Sequence, residues 1–119
     1  MSAEIIDNRG DTLTFKISGE LAQSELVNAQ KSAAEILQKE GKKHVLVIVD
    51  HFQGWGKGDW ADLSGQMAID PYIDRMAIVG EKKWEDLALL FTGKGIRRVP
   101  IEYFAPAELD KAQAWLLHG

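Results

Sequence analysis

Cysteine is absent from the 119 residues. That excludes disulfides, thiolate nucleophiles and cysteine-ligated metals. The start, Met1-Ser2-Ala3-Glu4, lacks a basic region followed by an apolar run, so it does not read as a secretion signal. Long hydrophobic stretches are missing as well. None is longer than Val45 to Val49, far below the roughly 20 residues of a membrane span. A cytoplasmic location is therefore expected, with peripheral contact at the inner face of the membrane left open. Positive charge is not in excess either. Fourteen basic and eighteen acidic residues give a net charge of -4, which offers no general attraction for nucleic acid.

Nucleotide and metal signatures are also lacking. Gly54-Trp55-Gly56-Lys57-Gly58 does not end in the Gly-Lys-Ser or Gly-Lys-Thr of a phosphate loop, and no Gly-x-Gly-x-x-Gly follows a strand. No His-x-x-x-His pair or Asp-x-Asp loop occurs. Asp50, His51 and Asp59 could converge on a metal only by loop folding, and a site needs at least three such ligands. Neither a metal nor a cofactor is expected.

What is present is a regular alternation of strand and helix patterns. Ile5-Ile6 precedes a turn signal over Asp7 to Asp11. Leu13, Phe15 and Ile17 then alternate with polar neighbours, which marks a strand with one wet face and completes a hairpin. Residues 22 to 40 change period. Leu26, Ala29, Ala33, Ile36 and Leu37 share one helical face, with Ser24 as a candidate cap and Gly41 as the stop. Val45 to Val49 is apolar on both sides, so it is a central strand.

The second half repeats the pattern. Three glycines place His51 to Gly58 in a loop, and a helix of about Asp59 to Ala68 carries Trp60, Leu63 and Met67. Asp70-Pro71 breaks it. Arg75 to Val79 is the fourth strand, Lys82 to Thr92 a helix with Trp84, Leu87, Ala88 and Phe91 together, and Val99 to Phe104 the fifth strand. Pro100 argues for a sheet edge. Pro106 opens a last helix whose inner face is Leu109, Ala112, Trp115 and Leu116. The expected architecture is one α/β domain over 1–119. It has a mixed sheet of about five strands with an N-terminal hairpin, covered by about four helices.

Three stretches carry a family resemblance: the core strand ending in Asp50; Met76-Ala77-Ile78-Val79-Gly80 followed by Trp84; and Tyr103-Phe104-Ala105-Pro106 running into Ala112-Gln113-Ala114-Trp115-Leu116. Their order and spacing resemble the SpoIIAA-like family of small bacterial proteins. The resemblance implies a fold like that of the STAS and lipid-carrying CRAL-TRIO domains, and a domain that is not an enzyme. Regulatory STAS domains are phosphorylated on a serine just after the central strand. Here Asp50 is followed by His51-Phe52-Gln53-Gly54-Trp55-Gly56, and Ser64 is the first hydroxyl. That departure counts against a phosphoswitch.

Two functional readings follow. The first is a non-enzymatic binding domain for a small apolar or amphipathic ligand. His51, Trp55 and Trp60 would line one side of the site and Trp84 with Phe91 the other, His51 supplying an orienting hydrogen bond. The alternative is a regulatory protein-interaction domain of the STAS type without the phosphorylated serine. Leu90, Lys94, Arg97 and Arg98 combine apolar bulk with positive charge. They are candidate contacts for an anionic membrane surface or a protein partner. The 51 to 69 segment is expected to act as a movable gate. His44 and His118 read as surface residues, and the protein as a monomer or weak homodimer.

Overall fold

The computed structural model describes residues 2–58, 60, 69–95 and 97–118. Five strands form one sheet: β1 (Ala3–Arg9), β2 (Thr12–Leu21), β3 (Lys43–Trp55), β4 (Ile73–Val79) and β5 (Ile101–Phe104). Their spatial order is β1-β2-β3-β4-β5, the same as their order in the chain. β1 and β2 are antiparallel, and β2 to β5 run parallel. The described helices are α1 (Gln23–Glu40), α2 (Glu85–Thr92) and α3 (Leu109–His118), with short 3-10 turns at Asp70–Tyr72, Lys82–Trp84 and Pro106–Glu108. The helix expected over 59–68 lies outside the described residues, apart from Trp60.

Strand order dictates where the helices go. Each parallel step moves one strand further in the same direction, and parallel crossovers are right-handed. Successive crossovers must therefore pass over the same face. Accordingly α1 and α2 share a face, above Leu13, Phe15 and Ile17 of β2, Val45 of β3, and Met76 and Ile78 of β4. α3 follows the last strand and is not a crossover, so it is free to take the opposite face. There Ala112 and Leu116 pack on Leu46, Ala77 and Val79. The continuous apolar run of β3 is thus explained by cover on both sides.

Helix α1 buries Ala29, Ala33 and Leu37, spaced four apart as one helical stripe requires. Ser24 lies inside the helix and does not cap it. Ala22 holds the cap position and has no side-chain hydrogen bond to give. The N-terminus is instead tied down by Ser2, whose backbone N–H donates to the Glu25 carboxylate. That bond holds the Glu25 carboxyl below its ordinary range. Lys43 is buried at the other end of the helix. Its Nζ donates to Asn8 Oδ1 at 2.9 Å and to Gly10 O at 2.7 Å, and pairs with Glu40 at 3.0 Å. One ammonium therefore joins the β1–β2 turn to the end of α1, with its charge matched and its donors used.

β3 is longer than its sequence pattern suggests, and the expected loop from His51 is corrected accordingly. Residues 51–55 remain paired with β2, but the register slips twice. Ser18 faces Asp50, Gly19 faces Phe52, and Glu20 faces Gly54, so His51 and Gln53 are extra residues on the β3 side. These are bulges, which insert unpaired residues and re-aim those that follow. His51 takes a φ of +51° and Gly54 one of +111°. The second needs glycine. An ordinary strand alternates every two residues. Here each bulge adds one, so Val49, Phe52 and Trp55, three apart, all reach the same cavity.

β5 begins at Ile101, leaving Pro100 outside it, and forms one edge of the sheet. Pro100 still contributes its carbonyl, which accepts from the Met76 N–H at 2.9 Å. Gly80, just past β4, allows a close approach. A Cβ there would stand 2.6 Å from Tyr103 Oη and 3.0 Å from Val49 Cβ.

Candidate functional site

Between the sheet, α1 and α2 lies a partly open cavity of about 110 Å³. Its floor is the apolar face of the parallel strands, including Phe15, Ile17, Val47, Met76 and Ile78. Leu26 and Gln30 of α1 form one wall, and Ala88 and Phe91 of α2 the other. An aromatic cluster closes the carboxyl end of β3. Phe52 meets Trp55 and Trp84 edge-on, each with ring centroids 4.9 Å apart. Trp55 meets Phe91 at 4.8 Å and Trp84 at 5.8 Å. Edge-to-face packing at these separations is the favoured arrangement of aromatic rings. Trp60 joins the lining, and its indole N–H donates to Gly56 O at 2.7 Å.

The structure brings together four of the five ligand-site candidates: Trp55, Trp60, Trp84 and Phe91. His51 is placed elsewhere. As a bulge residue its side chain is 90% exposed, with Nε2 3.6 Å from Asp50 Oδ1, and it is not among the residues lining the cavity. Phe52 takes a central position that the sequence pattern did not reveal. The signal that could have found it is the three-residue spacing of Val49, Phe52 and Trp55. The gate expected over 51 to 69 loses its flexible beginning, because 51–55 is strand. Residues 59 and 61–68 lie outside the description.

The basic cluster divides. Arg97 is corrected from a surface contact to a buried residue with 0% side-chain exposure. Its Nε donates to Asp70 Oδ1 at 3.0 Å, its Nη2 donates to the same oxygen, and its Nη1 donates to Thr92 O at 3.1 Å. Arg97 thus joins the turn before β4 to the end of α2, and it lines the cavity with its charge already matched. Lys94 pairs with Glu102 at 3.2 Å. Arg98 and Leu90 are exposed, as is Leu87 one turn before Leu90. His44 is also corrected. Its side chain is only 14% exposed and its Nδ1 lies 3.4 Å from Asp74 Oδ2.

Tyr103 adds a phenol at the cavity margin, where its hydroxyl donates to Glu81 O at 2.6 Å. Burial pushes the phenol up to about 12, and the negative charges of Glu85 and Glu81 add to the rise. The folded protein therefore keeps a proton that the unfolded chain releases near pH 10. Stability is fully present below that pH and falls as pH rises toward 12. Tyr103→Phe is expected to flatten this alkaline decline, measured by urea unfolding at pH 9, 10 and 11. An unchanged slope would contradict the assignment.

Among the described residues no group of three or more His, Asp or Glu is placed to hold a metal ion. Among them, too, no helix is long and apolar enough to cross a membrane.

Comparison with known proteins now bears on the whole chain. Residues 12–117 match the SpoIIAA-like family. An uncharacterised DUF3478-family protein with a SpoIIAA-like fold, from Shewanella loihica PV-4, superposes with a TM-score of 0.74. The alignment covers 97% of this chain and 94% of that one at 19% identity, so it speaks for the fold alone. No protein with a curated description matches. The family is characteristically non-catalytic. The match over residues 12–117 shows that this chain belongs to the SpoIIAA-like family.

Proposed function

We propose that this domain binds a small apolar or amphipathic molecule in the cavity between the sheet, α1 and α2. The observation that carries the reading is the cavity itself: apolar floor, aromatic end, and few polar groups. Sites for small molecules are built this way, with area from apolar side chains and orientation from a few polar ones. Size narrows the candidates. A cavity of about 110 Å³ compares with roughly 150 Å³ for an engineered apolar cavity that takes up benzene. The enclosed part of the ligand is therefore a single ring or a short branched chain, and anything longer projects through the opening.

Ala88 offers a clean way to test this. It lines the cavity from α2, so Ala88→Leu adds a branched side chain to the space a ligand would use. Native mass spectrometry of protein exposed to a cell extract is expected to show a small-molecule adduct on the wild type and none on Ala88→Leu. The variant should melt no lower than the wild type, since filling an apolar void is commonly stabilising. An adduct of equal intensity on both, or no adduct on either, would overturn the reading.

A further inference from the structure

The polar groups of the cavity wall are mostly committed elsewhere. Thr92 Oγ1 donates to Ala88 O at 2.7 Å, and the Tyr103 hydroxyl donates to Glu81 O. Trp60 Nε1 is used by Gly56 O. Arg97 has its carboxylate partner in Asp70. Among the fully buried polar atoms of the described wall, Trp84 is the exception. Its Nε1 is buried and has no hydrogen-bond partner among the described residues. A buried indole N–H normally finds an acceptor, and leaving one unmade costs its desolvation.

We propose that the ligand is an uncharged molecule carrying a hydrogen-bond acceptor such as a ketone, ester or ether oxygen, and that Trp84 Nε1–H is the donor that orients it. This rests on the binding reading above and specifies its ligand class. Trp84 supplies a donor only, so the recognised atom must be an acceptor. The lining charge is already neutralised within the protein. A carboxylate would enter an apolar space without a free cation to meet it, and an unpaired buried charge is strongly disfavoured.

Three rings of matched size separate the possibilities: cyclohexane, cyclohexanone and cyclohexanecarboxylate at pH 7. Proton–nitrogen correlation spectra of the wild type report binding, with the Trp84 indole signal identified by its loss in Trp84→Phe. Cyclohexanone is expected to move that signal downfield, and cyclohexane is not. Trp84→Phe should weaken cyclohexanone by about fivefold and leave cyclohexane within about twofold. Cyclohexanecarboxylate should bind at least about tenfold more weakly than the ketone. Two results would remove Trp84 as the donor while the apolar cavity stands. One is an equal loss for ketone and hydrocarbon. The other is an indole signal that ignores the ketone while neighbouring signals move. Preferred binding of the carboxylate would overturn the uncharged class. If the wild type takes up none of the rings, the cavity reading fails, and this proposal with it.

Discussion

Arg97→Ala is expected to destabilise the domain by about 3–5 kcal/mol, the usual cost of removing one partner from a buried ion pair. The guanidinium has no side-chain exposure and the Asp70 carboxylate only 14%. Removing Arg97 strands that carboxylate, frees the Thr92 carbonyl, and unties the turn at Asp70–Tyr72 from the end of α2. Asp70→Ala should cost a similar amount, because it leaves a guanidinium buried without its counter-charge. Replacing both by apolar residues of similar volume should recover most of the loss. Urea unfolding of the two single variants and the double variant measures all three. A single-variant cost below about 1 kcal/mol would place the pair among ordinary surface salt bridges and contradict its burial.

Phe52→Ala is the second large effect, expected to cost about 3–5 kcal/mol as large-to-small aromatic substitutions in cores do. Phe52 is buried and meets both Trp55 and Trp84 edge-on. Its loss removes two aromatic contacts and merges new space with the existing cavity. The variant should therefore be less stable in urea. It should also admit rings larger than those the wild type accepts, seen as adducts in native mass spectrometry. A cost near zero would mean the aromatic cluster relaxes into the space. In that case the cluster could not serve as a rigid end wall.

Strand and helix identity was legible because each element repeats its hydrophobic residues at its own period. Leu13, Phe15 and Ile17 mark a strand, and Ala29, Ala33 and Leu37 a helix. Pro100 correctly signalled an edge. Four of the five residues expected at the ligand site line one cavity, because aromatics on the Trp84–Phe91 segment and at and just past the end of β3 face the same side of the sheet. His51 was not legible. A bulge is decided by pairing with β2, so the two-residue alternation of a regular strand does not show that one added residue turns His51 outward and Phe52 inward. Arg97 failed for a related reason. A run of cations reads as surface until a distant carboxylate, 27 residues earlier, is seen to meet one of them.

The strictly sequential order of the strands also governs how the chain can assemble. Every strand pairs with the one immediately before it in the sequence, so no strand has to be inserted between two that are already joined. The sheet can grow from its N-terminal hairpin outward, one edge at a time, with loop closures kept short for a parallel topology. α3 alone comes after this process. Until its ten residues arrive, Leu46, Ala77 and Val79 have no cover from Ala112 and Leu116. Because this helix follows all five strands in the chain, the second face is closed only after the sheet has been made. A released chain cut short before Pro106 would hold all five strands but leave one apolar side of the sheet uncovered.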